Sequence, residues 1–192
     1  MLRRSIAALT CALSLALPSF SHALTIADIT VPERISLNQH ALVLNGAGLR
    51  KEFVFDVYVA ALYTPTPTQD AALILDSARP QQIRLYLLRS VSHDQLMSSL
   101  KTGIQQNLSA QEQAEVKPGL HTFEKHLQKI GAVGKGDIIT LSMFESQVTI
   151  DFNEQQVANI DDQQLGTALL QVWLGANPAQ PSLKEALLGV QQ

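Results

Sequence analysis

The chain has 192 residues, 46% hydrophobic, 16% charged and 5% aromatic, with one cysteine and a formal charge of −3. That apolar content suits one globular domain with a buried core and excludes a disordered chain, which needs fewer apolar residues and more net charge. Lys and Arg (14) do not exceed Asp and Glu (17), and no basic run occurs, so a nucleic-acid partner is excluded as well.

Residues 1–23 read as a secretory signal peptide. Arg3 and Arg4 open it, Ile6 to Leu17 is uncharged, Pro18 ends the apolar run, and Ser21-His22-Ala23 offers small residues for cleavage after Ala23. The 12 residues from Ile6 to Leu17 fall well short of the ~20 that a spanning helix requires, and no later segment approaches that length. The expected organisation is therefore 1–23 leader and 24–192 domain, not membrane-spanning. The only cysteine, Cys11, lies in the leader, so the mature chain has no disulfide, thiolate nucleophile or thiolate metal site. Losing Arg3 and Arg4 takes the basic count from 14 to 12 against 17 acids, a formal −5. An exported, cysteine-free, mildly acidic domain fits a bacterial periplasm.

In chain order, Leu24 to Val31 reads as a first strand closed by Pro32. Ala41 to Leu44 reads as a short strand running into a turn at Asn45-Gly46-Ala47-Gly48. Phe53 to Tyr63, rich in β-branched and aromatic residues, reads as a long buried strand ended by Thr64-Pro65-Thr66-Pro67. Ala71 to Leu75 reads as a short helical piece. Ile83, Leu85 and Leu87 alternate with Arg84 and Tyr86, which makes Gln81 to Arg89 a strand.

The period then changes. Ser92 with Gln95 forms a capping box, and Leu96, Leu100, Ile104 and Leu108 follow at spacing four. Ser109 with Glu112 is a second box, opening a helix that Pro118-Gly119 interrupts and that resumes to Gly131. Gly134 to Asp137 is a turn. Ile139, Leu141 and Met143, then Val148, Ile150 and Phe152, alternate with polar residues around a hairpin at Glu145-Ser146, and Val157 to Ile160 adds a short strand. Asp161 or Asp162 caps a strong helix carrying Leu165, Leu169, Val172 and Trp173, closed by Gly175, and Pro181-Ser182 starts a last one. The expected class is α+β, a large antiparallel sheet with helices packed on one face.

Little in the chain suggests chemistry. His121 and His126 are five apart, about 140° around a helix, so they cannot share a metal as an i,i+4 pair does. Lys135 is followed by Gly136 where a phosphate loop needs Ser or Thr. No metal and no cofactor is expected, and Trp173 reads as core. What remains is Gly46-Ala47-Gly48-Leu49-Arg50 leading into Phe53 to Tyr63. Two glycines permit close approach, and an arginine beyond them presents fixed donors to a carboxylate or enolate oxygen.

Gly46-Ala47-Gly48-x-Arg50, Asp56-Val57-Tyr58, Trp173-Leu174-Gly175 and Leu183-Lys184 together resemble the chalcone isomerase-like family, in particular its exported bacterial branch. The resemblance runs from about Ile26 to Gly189 and implies an open-faced β-sandwich. It also implies one of two activities. Plant chalcone isomerases cyclise a flavonoid precursor without cofactor, using an arginine, a strand threonine, and a helix tyrosine and asparagine. The threonine position falls on Phe53, and ungapped matching from Arg89 puts the helix tyrosine near Leu96 and the asparagine near Gly103, so that polar set is largely missing. The fatty-acid-binding relatives hold a lipid carboxylate with the motif arginine and a tyrosine on the next strand, which here implies Arg50 with Tyr63. Arg50 and Tyr63 are 13 apart and out of phase on a regular strand, whereas Tyr58, eight from Arg50, is in phase and is the reserve choice.

The leading expectation is a periplasmic, cofactor-free protein binding a fatty acid or similar small amphipathic carboxylate between sheet and helices. Arg50 clamps it, Tyr63 or Tyr58 donates a hydrogen bond, and Gly46 and Gly48 shape the turn. One alternative is an isomerase, an intramolecular lyase acting on a chalcone-like or other enone substrate. The other is a ligand-free structural or partner-binding module, with the cleft shut by Phe53, Phe55 and Leu96. Oligomeric state is left open.

Overall fold

A computed structural model describes residues 24–190, so the expected leader and its Cys11 lie outside the described residues. The strands are β1 (Leu24–Ile26), β2 (Ile29–Val31), β3 (Arg34–Leu37), β4 (His40–Glu52), β5 (Phe55–Thr64), β6 (Gln81–Leu87), β7 (Ile138–Phe144), β8 (Gln147–Phe152) and β9 (Gln155–Asp161). The helices are α1 (Ala71–Leu75), α2 (His93–Asn107), α3 (Ala110–Ile130), α4 (Gln163–Leu174) and α5 (Pro181–Leu187). Strands β3 to β9 form one seven-stranded sheet in sequence order, every pair antiparallel. The meander is interrupted by α1 between β5 and β6, and by α2 and α3 between β6 and β7.

Strand alternation sorts the core into two faces. Ala60, Leu62, Ile83, Leu85, Leu87, Ile139, Leu141 and Ile150 face α2 to α5 and pack with Phe123, Leu169 and Trp173. Val59, Ala61, Tyr63 and Tyr86 face the other way and pack with Leu42 and Val31 under the β1–β2 hairpin. Helices on one face of a large antiparallel sheet are the architecture expected from the order of elements.

Three local readings are corrected. Leu24 to Val31 is a two-stranded hairpin, not one strand, because Ala27 and Asp28 take φ of 47° and 64° and reverse the chain. The Asn45 to Gly48 segment is not a turn but the middle of the 13-residue β4. The chain reverses later, at Phe53-Val54, so Phe53 belongs to the turn and not to β5. Pro118 does not interrupt α3, which runs unbroken for 21 residues. Its lost N–H removes one helical bond, and Gly119 beside it leaves the space that the Asp162 carboxylate at the start of α4 fills. Both capping boxes form, with Ser92 and Ser109 accepting from the amides of Gln95 and Glu112. Asp162, rather than Asp161, caps α4 through the Leu165 amide at 2.9 Å.

The glycines of β4 serve a packing purpose. A Cβ at Gly46 would run into the Ala186 carbonyl oxygen, and one at Gly48 would lie 2.7 Å from the Ala186 Cβ, so only a bare backbone lets α5 lie on the strand. Asn45 sits at a register shift between Leu44 and Gly46. Its amide nitrogen donates to the carbonyls of Leu187 (2.7 Å) and Thr68 (3.0 Å), and its oxygen accepts from the Thr68 amide (2.7 Å), which ties the bulge to the end of α5. Because of that bulge, Leu44 faces away from the helices while Gly46, Gly48 and Arg50 lie on the helix side.

Candidate functional site

Between the sheet and α2 to α4 lies a cleft of about 420 Å³. Leu85 of β6, Ile139 and Leu141 of β7, Leu100 of α2, and Phe123 and Leu127 of α3 form its floor, and all are buried. Its rim is polar and exposed: Glu52, Arg89, Ser90, Gln95 and Ser99. This is the make-up of a small-molecule site, with apolar walls and a few convergent polar groups.

Arg50 and Tyr58 sit opposite each other across the β4–β5 ladder, so their side chains share one face, and both line the cleft. The Trp173 indole N–H of α4 donates to the Tyr58 hydroxyl at 3.0 Å. Burial pushes the Tyr58 phenol up from its ordinary value, while the Trp173 hydrogen bond and the Arg50 charge pull it part of the way back. The hydroxyl is therefore neutral. With an oxygen lone pair taken by Trp173, its own proton remains to be donated. The Arg50 guanidinium donates to the Lys51 carbonyl and, at 3.3 Å, to Gln180 Oε1. Gln180 also accepts from the Lys51 amide (2.9 Å) and donates to the Leu49 carbonyl (3.1 Å), which fixes the start of α5 against the end of β4. A cationic fork and a neutral phenol at the edge of an apolar cleft match the needs of an oxyanion attached to an apolar body.

Of the residues singled out in the sequence, Arg50 and Tyr58 come together and Tyr63 does not. Tyr63 lies five residues beyond Tyr58 on β5, hence on the opposite face, fully buried with its hydroxyl donating to the Pro32 carbonyl at 3.0 Å. The bulge at Asn45 shifts β4 and leaves the phase of β5 untouched, so it cannot bring Tyr63 round. Gly46 and Gly48 face α5 in mid-strand, and the role of shaping a turn is corrected accordingly. Leu96 and Gly103, the positions matched to the isomerase tyrosine and asparagine, do line the cleft and bring no hydroxyl or amide to it. Phe53, matched to the threonine, is 94% exposed in the hairpin turn. Phe55 is also exposed, so neither phenylalanine shuts the cleft.

Sequence reasoning missed Trp173, which is core and site together: 4% exposed, lining the cleft, and bonded to Tyr58. A buried indole N–H needs an acceptor, and that requirement was a usable signal. Arg89 was missed for lack of any signal, since its place on the rim depends on how β6 ends against α2.

The structure is similar to the crystal structure of a fatty-acid binding protein from Arabidopsis thaliana, with a TM-score of 0.69 at 14% identity over 86% of this chain and 95% of that one. At that identity the likeness is one of fold. No curated protein matches the chain. The family model described as chalcone isomerase-like matches residues 23–189. Spanning nearly every described residue, that match shows that the chain belongs to the chalcone isomerase-like family.

Proposed function

We propose that the protein binds a fatty acid or a similar small amphipathic carboxylate in the cleft between sheet and helices. The observation that carries this reading is the pairing of Arg50 and Tyr58 at the edge of an apolar cavity of about 420 Å³. That volume lies within the ~300–1,000 Å³ of ordinary ligand pockets. Arg50 neutralises the carboxylate, Tyr58 donates its free proton to the second oxygen, and Trp173 holds Tyr58 in place. The acyl chain lies over Leu85, Leu100, Phe123 and Leu141. Tyr58 takes the part that the resemblance had given to Tyr63. The fatty-acid-binding relative of like fold supports the ligand class.

Native mass spectrometry of protein purified without detergent, followed by solvent extraction, tests the reading. A stoichiometric fatty acid that is absent from Arg50→Ala is the expected result. An empty protein that takes up no added fatty acid, or an Arg50→Ala variant that keeps the ligand, overturns it. We also propose export to the periplasm with the leader removed after Ala23. An intact mass beginning at Leu24 in the periplasmic fraction is the expected outcome, and an uncleaved cytoplasmic chain refutes it.

A further inference from the structure

The β4–β5 hairpin ends in three consecutive exposed apolar residues, of which only Phe55 is partly covered, by Arg89. Phe53 is 94% exposed, Val54 86% and Phe55 54%. The other exposed large apolar residues among those described, Leu24, Leu73 and Val190, are isolated, and each is less than half exposed. Single exposed apolar residues are ordinary, whereas a contiguous run at a protruding tip marks an interaction site.

The backbone adds an independent sign. Phe53 holds φ at 54°, in the left-handed region that Asn, Asp or Gly enters at low cost. The other described non-glycine positions with positive φ are Asp28, Asn38 and Asn153 together with Ala27, Gln39, Glu145 and Glu154, and Phe53 is the one large apolar residue among them. Folding alone would favour a small polar residue there. Keeping a fully exposed phenylalanine in a strained turn gives the fold nothing, which points to a role outside it.

The surroundings say what the tip meets. Behind it stand the exposed Lys51 and Arg89, with the Arg89 guanidinium 4.6 Å from the centre of the Phe55 ring. Of the two nearby acids, Asp56 is paired with Lys51 at 3.7 Å, and Glu52 lies on the cleft rim. The base of the same hairpin (Glu52, Val57 and Tyr58) opens onto the cleft. An aromatic wedge with exposed basic side chains one step behind it fits the boundary between lipid tails and anionic headgroups. A protein partner fits poorly, because a stable interface takes about 800 Å² from each side and a tip of three side chains cannot supply that area.

We propose that Phe53-Val54-Phe55 is a docking finger for a phospholipid bilayer. Phe53 and Val54 enter the acyl boundary, Arg89 faces the phosphates, and the cleft opening is held against the membrane surface. Docking stands on the tip alone and does not depend on what the cleft binds.

The test is co-sedimentation of the leaderless protein with phosphatidylethanolamine–phosphatidylglycerol vesicles, without added fatty acid. The double variant Phe53→Ser/Val54→Ser is compared by the same assay, with its thermal midpoint as the check on folding. Vesicle binding that falls about tenfold or more in the double variant is expected, given two large apolar side chains withdrawn from lipid. Phe53→Trp should shift its emission to the blue only when vesicles are present, against the constant signal of buried Trp173. Wild-type protein that stays in the supernatant, or a folded double variant that sediments as well as wild type, overturns the proposal. So does a concentration-dependent dimer that the double variant abolishes, because the tip would then meet a second copy. Fatty-acid uptake is read in a separate assay through Arg50→Ala, so either idea can fail alone.

Discussion

The two faces of the sheet each carry an arginine and a tyrosine, and only one pair borders open space. On the helix side, Arg50 and Tyr58 stand at the cleft, and the Tyr58 proton is uncommitted. On the opposite side, Arg84 donates through Nε to Gln82 Oε1 at 2.7 Å and lies 5.7 Å from the centre of the Tyr63 ring. Gln82 in turn donates to the Ser142 hydroxyl at 2.8 Å, and Tyr63 donates to Pro32. The Arg84 Nε–H and the Tyr63 hydroxyl are thus taken up by the protein, in a layer where Gln82, Ser142 and Tyr63 are all at most 5% exposed. The same residue types therefore make a site on one face and a polar core on the other. What separates them is empty volume beside the pair, which is not a property of residue type.

The largest effect that would sharpen this contrast lies on the packed face. Tyr63→Ala empties a fully buried site and should cost about 3–5 kcal/mol in urea unfolding while leaving fatty-acid affinity of the folded protein unchanged. A loss of affinity without a loss of stability would mean that Tyr63 is a ligand residue after all. Next in size, Gly46→Val drives a side chain into the backbone of α5 and should cost about 3 kcal/mol by the same measurement. If it is tolerated, α5 is not seated on β4 as described.

Arg50→Ala inverts the pattern. Titration calorimetry should show affinity weakened by about 2 kcal/mol, roughly 30-fold, with a smaller loss of stability from its lost bonds to Gln180 and Tyr58. Tyr58→Phe is smaller. It removes one donor toward the ligand and the acceptor of the Trp173 N–H, so about 1 kcal/mol should go from affinity and a similar amount from stability.

The last test uses pH. Burial, and for Tyr63 the neighbouring Tyr86, raise the Tyr58 and Tyr63 phenols above their ordinary value of 10.0. The unfolded chain therefore releases these protons first. The stability they contribute is fully present below pH 10.0 and declines above it. Urea midpoints should fall as the pH rises past that point, and Tyr63→Phe should flatten the fall. An unchanged slope in that variant would show that Tyr63 titrates alike in both states.

Much of this could be read before the structure was known. Both capping boxes, the alternation of β6 to β8, the short α1 and the closing helices follow from patterns spanning fewer than twenty residues, and local physics governs them. The misread places share one cause. Gly46 and Gly48 signal a turn to any local reading, yet their purpose is contact with Ala186, 140 and 138 residues further on. Pro118-Gly119 signals a break, yet Gly119 makes room for Asp162.

The site divides in the same way. The sequence by itself determined the α+β class, the strand alternation, the arginine of interest and the phase argument that kept Tyr58 in reserve behind Tyr63, because a period of two is intrinsic to an extended chain. Only the tertiary structure decided that Arg50 faces a cavity, that Trp173 completes the pair, and that Phe53 stands bare at a tip. Each of these depends on which distant elements come to lie alongside and which do not. Empty space is made by several elements at once, and no stretch of sequence encodes it alone.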